Sequence, residues 1–397
     1  MKRSAERILT THVGSLARSD SLIPLLRQRE HGQPYDRAEL ARRVRESVAD
    51  VVRKQVEAGI DILTDGEQGK ASFYGYIVER FTGFERRPAP AGKEANPRAA
   101  GREYLAFPDY YAWSERIAQP FGGRGGARAY GIDTCTGPVS YRGGHTVQTD
   151  IENLKGALKG LPHEDVFMPA IASSYVAASF ANEYYRTHEE YEQAVSDALR
   201  EEYKAIVDAG FILQIDDPRL VSYYMMNPHL SVEDCRNWAE KRVETINYSI
   251  RGIAPEKIRF HTCYSIDVGP RIHEMALKDI VDVVLKINAG AYSFEAANPR
   301  HEHEYHVFET IKPPDGKILI PGVISHTTNL VEHPELIAER IVRFARLVGR
   351  ENVIAGADCG FAASALRFND THPSVAWLKF AALAEGARLA SRELWGG

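Results

Sequence analysis

The stretch EEYEQAVSDALREEYKAIVDAGFILQIDDP, residues 189–218, sets the fold class. Its first part carries apolar residues at spacings of three and four, which predicts an amphipathic helix, and it closes on Gly210, a common helix stop. The next residues, FILQIDDP (211–218), are a short apolar run ending in carboxylates, which predicts a buried strand. Helix, glycine and buried strand in succession are the unit of a parallel sheet with crossover helices.

The unit recurs in both directions. Upstream strand candidates are TTHVGSL (10–16), DILTDGE (61–67) and VFMPAIASS (166–174); downstream ones are KIRFHTCYS (257–265), YSFEAA (292–297), KILIPGVIS (317–325) and NVIAGADCGF (352–361). RAELARRVRESVADVVRKQVEAG (37–59) and HPELIAERIVRFARLVG (333–349) have the same helical character. Eight strands with helices between most of them predict an α/β protein, a single (β/α)8 TIM barrel spanning residues 1–397. Segment 82–145, rich in Pro, Gly, Ala and charge, breaks the alternation. It is expected to be a long insertion after the second strand, partly mobile, with ARAYGIDTCTGPVSYRGGHT (127–146) folded as a β-hairpin.

At 397 residues, 44% of them apolar and 26% charged, the chain has the composition of an ordinary globular protein with a large core. A formal net charge of -5 gives no reason to expect nucleic acid or an anionic membrane as partner. The opening MKRSAERILTTHVGS lacks the apolar core of a signal peptide, and no run approaches a membrane span, so a cytoplasmic protein is expected. Four cysteines are too few and too scattered for a disulfide framework. Cys135 and Cys235 read as structural, whereas Cys263 and Cys359 fall at strand ends beside His or Asp.

In such a barrel the active site forms at the C-terminal strand ends, and here nearly every strand ends in polar residues. They are Gly14-Ser15, Asp65-Gly66-Glu67, Asp216-Asp217, His261-Thr262-Cys263, Glu295, His326 and Asp358-Cys359. Positions i and i+2 of a strand point the same way, so His261 and Cys263 can offer an imidazole nitrogen and a thiolate to one metal ion. Glu295 and Cys359 end other strands and could complete a ligand set that suits tetrahedral Zn2+. On spacing alone, a chance His-x-Cys with Cys359 as a buried small hydrophobe is the favoured reading, because the ligand motif is short.

HTCYS (261–265), a strand ending in Glu and a final DCGF (358–361) together resemble the catalytic barrel of the cobalamin-independent methionine synthase family. The resemblance extends in order through THVGSLAR (11–18), TDGEQGKASFYGYIVERFTGF (64–84), QIDDP (214–218), PGVISHTTN (321–329) and ENVIAGADCGF (351–361). It implies a catalytic zinc on His261, Cys263, Glu295 and Cys359, with a small thiol and an alkyl donor as partners. It further implies that Ser15, Glu67 and Asp216 hold the amino and carboxylate groups of homocysteine, and that His326 handles a proton on the donor side. The structural alternative for the two acids is a pairing with Lys70 or Arg219.

The chain departs from the family's full-length form. No second, N-terminal barrel is expected, and SSYVAASFANEYY (173–185) lacks the Trp that stacks on the pterin of folate-using members. ANPRHEHEYHVFE (297–309) replaces a short Ser-rich turn after the zinc Glu; its His301–His306 run reads as a pocket-lining or solvated helix start, and Arg300 could face an anionic donor. Methyl transfer to homocysteine is therefore expected, with a non-folate donor within reach. The rival in the same chemistry is opening of an epoxide by a thiol such as coenzyme M. A metal-free uroporphyrinogen-decarboxylase-like enzyme and a binding module stapled by zinc are the alternatives of other classes. A homo-oligomer is compatible with the sequence.

Overall fold

The computed structural model describes residues 1–87, 100–118, 132–264, 269–365 and 369–396. Its strands are β1 (Leu9–Thr10), β2 (Ile62–Leu63), β3 (Phe84–Arg87), β4 (Ile132–Cys135), β5 (Asp165–Ile171) and β6 (Ala181–Asn182). They continue as β7 (Ile212–Asp216), β8 (Ile258–His261), β9 (Ala291–Phe294), β10 (Ile318–Ile324) and β11 (Ile354–Ala357). Eight of them form one parallel sheet in the order β1-β11-β10-β9-β8-β7-β5-β2. The two ends nearly meet: Asp61 N–H donates to Thr10 O (3.2 Å), Asp61 Oδ2 accepts from Thr10 N–H (2.8 Å), and Thr11 Oγ1 donates to Ile62 O (3.3 Å). The protein is thus a (β/α)8 barrel, and each of its strands falls within or beside an expected apolar run.

Local chemistry explains the helices. Asp36 caps Arg37–Glu57 by accepting from Glu39 N–H, and Thr187 with Glu190 makes a capping box at the head of His188–Asp208. Gly210 (φ +94°) and Gly349 (φ +90°) follow the helices His188–Asp208 and Pro334–Val348 in conformations that other residues rarely adopt. The barrel interior packs Leu9, Ile62, Phe167, Ile212, Ile318, Ile320 and Ile354. Arg259 lies fully buried among them. Its guanidinium donates to Thr11 Oγ1 (3.0 Å) and His12 O (2.8 Å) and sits 4.0 Å over the Phe167 ring, so the buried charge finds acceptors and a π-face.

A second, three-stranded sheet has the order β3-β4-β6. The hairpin expected within 127–146 is not what the described residues form. Ile132–Cys135 pairs antiparallel with Phe84–Arg87, and Tyr141 bridges to Phe81. The partner edge comes from a distant stretch rather than from the same segment. Residues 88–99 and 119–131 of the expected insertion, and the mobility expected there, lie outside the described residues. Among the described residues no helix is long and apolar enough to cross a membrane.

Candidate metal centre

Strand register assembles the centre. Asp216 of β7 is the direct neighbour of His261 of β8, which in turn neighbours Ser293 of β9. His261 and Cys263 leave the end of β8 on the same side, and Cys359 arrives just beyond β11. Their ligand atoms (one imidazole nitrogen and two sulfurs) all lie within 4.8 Å of one another, the one such group of His, Cys, Asp or Glu among the described residues.

Three observations show that these residues fit a metal ion. His261 Nε2 is buried without a hydrogen-bond partner, while Nδ1 donates to Asp216 Oδ1 (2.8 Å), the arrangement by which a carboxylate orients a ligating imidazole. Cys263 and Cys359 are free thiols with sulfurs 3.1 Å apart, close to the ~3.8 Å between two sulfurs on one tetrahedral zinc. Without a cation the cluster is electrostatically poor. The Cys359 thiol and burial push the Cys263 thiol well above its usual range. Burial disfavours charge on His261, but the Cys263 sulfur and Asp216 outweigh it and raise the imidazole to about 10. A divalent cation would reverse that balance and favour the thiolates.

Glu295, expected as the fourth ligand, ends β9 beside this group but is not part of it. Its Oε1 accepts from Tyr264 N–H (2.8 Å), and its Oε2 from Arg271 Nη2 (2.6 Å) and Asn298 Nδ2 (2.8 Å). Burial pushes its carboxyl up, but Arg271 and then His326 outweigh that and bring it below the usual range. The turn behind it is clamped to β11. Asp358 Oδ1 accepts from Ala296 and Ala297 N–H (2.8 Å each), and Oδ2 from Asn298 (3.1 Å). Burial, followed by the neighbouring Glu295, raises Asp358 to about 7. Its approach needs Gly322: a Cβ there would stand 2.5 Å from the Asp358 Cα and N.

The other expected residues surround the centre. Glu67 is buried at φ +56°, 3.9 Å from Lys70 Nζ and 4.0 Å from Arg18 Nη2, and its Oε2 has no hydrogen bond. Burial raises its pKa against those two cations, and the charge of Asp216 adds to the rise. Besides His261, Asp216 Oδ1 accepts from Gln214 Nε2 (2.8 Å). The alternative pairing is therefore half met, since Lys70 stands near Glu67 while Arg219 turns to Ser179 and Met226. Ser15 is buried, and its hydroxyl donates to Ala362 O in the loop after β11. His326 is buried beyond β10, where its carbonyl accepts from Thr371 Oγ1 (2.7 Å).

The His301–His306 run divides. His301 is buried between Glu304 (2.6 Å) and Glu274 (2.8 Å) and stacks on Tyr264 with ring centroids 4.1 Å apart, so it is not solvated, although it does open a helix, the 3-10 turn Glu302–His306; His303, His306 and Arg300 are exposed. Arg271 and Asn298 were not anticipated. Asn298 could have been noticed three residues after Glu295 in EAAN, whereas Arg271 sits in a loop with no flanking pattern.

Comparison with known proteins adds the family. The family model for the cobalamin-independent synthase catalytic domain matches residues 171–381, just over half the chain. The chain is 25% identical to the methionine synthase of Sulfolobus acidocaldarius over 88% of its own length and 85% of that protein's. It is 24% identical to that of Saccharolobus solfataricus over 97% and 95%. Among solved structures it resembles a B12-independent methionine synthase from Shewanella sp. W3-18-1 in complex with selenomethionine, with a TM-score of 0.71 at 19% identity and coverage of 98% and 100%. A putative vitamin-B12-independent methionine synthase from Listeria monocytogenes gives 0.64 at 19% identity and the same coverage. The matched span opens at the end of β5 and carries the whole His261, Cys263 and Cys359 group, so the chain belongs to the cobalamin-independent synthase catalytic domain family.

Proposed function

We propose that this protein is a zinc-dependent S-methyltransferase that makes a thioether from homocysteine and a non-folate methyl donor. The observation that carries the reading is the convergence of His261, Cys263 and Cys359, with Asp216 turning the His261 imidazole so that Nε2 is left for the metal. Zinc, when bound, lowers the pKa of a substrate thiol so that the nucleophilic thiolate is present at neutral pH. Two cysteine ligands keep that sulfur electron-rich, which suits alkyl transfer better than hydrolysis.

The chain's own groups position the substrate. Glu67 offers a buried carboxylate oxygen without a hydrogen bond, in the field of a second acid, Asp216. An ammonium between the two would satisfy that oxygen and relieve their repulsion. A sulfonate thiol with no amine would bring no donor to Glu67 Oε2, which favours homocysteine over coenzyme M. In this reading Ser15 meets the substrate carboxylate by turning its hydroxyl from Ala362 O, and His326 gives or takes the proton on the donor side. Curated relatives that cover nearly the whole chain bear the name methionine synthase, in keeping with this reading. No tryptophan stands in 173–185 to stack on a pterin, in keeping with a donor other than folate.

Calorimetric titration of zinc-loaded and zinc-stripped protein with homocysteine and with coenzyme M tests the proposal. Zinc-dependent binding of homocysteine with proton release, lost in Cys263→Ser, is the expected result. Binding of coenzyme M alone would move the chemistry to epoxides or other alkyl electrophiles. Zinc-independent binding would remove the metal from the mechanism.

A further inference from the structure

Arg271 is an unusual residue. It lies at φ +58°, a conformation uncommon outside glycine, in the loop after β8, and its side chain is buried. Nη2 donates to Glu295 Oε2 (2.6 Å) and Nε to Glu274 Oε1 (2.7 Å), while Nη1 is buried without a hydrogen-bond partner. The guanidinium is braced from behind. Glu274 Oε2 accepts from His301 Nε2 (2.8 Å), His301 Nδ1 donates to Glu304 Oε2 (2.6 Å), and Glu304 Oε1 accepts from Leu277 N–H (2.7 Å). A chain of alternating charges thus runs outward from Glu295, and both ends of the Arg271 loop are tied to it.

This inference rests on the zinc–thiol reading above. If an incoming thiol replaces the Glu295 carboxylate on the metal, that carboxylate must go somewhere. A buried anion released without a cation is costly, so thiol binding would be opposed unless a counter-charge stood ready. Arg271 is that counter-charge, and its fork has a spare donor in Nη1. We propose that Arg271 is a positioning residue that receives Glu295 when the substrate thiol takes its place, and so sets the balance between metal-bound and released carboxylate. The acceptor geometry for that role is on hand, since Glu295 Oε2 takes Arg271 Nη2 and Oε1 takes Tyr264 N–H.

The test compares wild type, Arg271→Met, Glu295→Gln and the double variant. Zinc affinity is measured by chelator competition and homocysteine affinity by calorimetry. Losing the arginine frees Glu295 for the metal, so Arg271→Met should bind zinc about tenfold more tightly and homocysteine about tenfold more weakly, the size expected for contacting, coupled residues. Both effects should vanish when Glu295 is already Gln. A purely structural arginine gives the opposite sign, because disordering the site weakens zinc. Unchanged or weaker zinc binding in Arg271→Met, or the same change in the Glu295→Gln background, overturns the proposal. If Arg271→Met does not fold, Arg271→Gln removes the charge while keeping a donor and should shift both affinities in the same directions; an unshifted, folded Gln variant is equally decisive. Wild type that binds no zinc would sink the metal reading itself, whereas normal wild-type binding with an unresponsive Arg271 variant sinks only the role of Arg271.

Discussion

Gly322→Ala is the perturbation that best separates a held site from a merely nearby set of residues. The added Cβ would stand 2.5 Å from the Asp358 Cα and N, and closer still to Oδ1. Two of these atoms are backbone, so no flexible side-chain end can yield, and β10 and β11 must part by about 1 Å at a place where their register already shifts. Overpacking of this kind costs roughly 1–3 kcal/mol. Asp358 would also loosen its grip on Ala296 and Ala297 N–H, and such hydrogen bonds contribute about 0.5–3 kcal/mol each, depending on the charge of the carboxyl. Together the expected destabilisation is about 2–5 kcal/mol, which for a chain of this size lowers Tm by only about 2–6 °C. The larger effect is at the metal. Cys359 follows Asp358 directly, and a shift of even half an ångström exceeds the tolerance of about 0.2 Å for a ligand set, so zinc affinity should fall more than tenfold. Calorimetric melting and chelator competition read the two numbers, with Gly144→Ala, where nothing lies within 4 Å of the added Cβ, as the control. Wild-type zinc affinity in a folded Gly322→Ala variant would refute the claim that Asp358 holds the end of β11 in place.

Two further outcomes are expected. Asp216→Asn removes the carboxylate that orients His261 and is proposed to meet an ammonium; zinc affinity should drop about tenfold, and homocysteine binding to the zinc-loaded variant should fall by a further tenfold or more that a thiol without an amine does not share. Equal losses for both thiols would remove Asp216 from amine recognition. Burial disfavours charge on His301, but Glu274 and Glu304 prevail and raise it from 6.5 to about 9. A raised folded-state pKa means that its contribution is fully present below pH 6.5 and is lost as pH rises through about 9, with an upper bound of about 3 kcal/mol. Denaturant unfolding should therefore show stability falling between those values in wild type and much less in His301→Gln; parallel profiles would assign the titration elsewhere.

The barrel was legible because its signals are local. The three- and four-residue spacing of RAELARRVRESVADVVRKQVEAG, the stop glycines Gly210 and Gly349, and apolar runs such as FILQIDDP each report on a window no wider than one element. The His261–Cys263 pair was legible for the same reason, since strand alternation alone puts both side chains on one side. What required the tertiary structure depends on which strands become neighbours. Register brings Asp216 against His261, pairing on either side of β10 brings the end of β11 to the end of β9 so that Asp358 can take the Ala296 and Ala297 amides, and Phe84–Arg87, rather than a local hairpin partner, pairs with Ile132–Cys135. Arg271 is the extreme case. No periodicity marks a loop residue, and its partners Glu274, Glu295 and Tyr264 meet it only because the barrel has already fixed where the ends of β8 and β9 lie. The sequence by itself determined the elements and which face of each carries polar chemistry; the buried charges that hold Glu295 were decided by long-range packing, because a buried ion must be paired with whatever the closed fold places beside it.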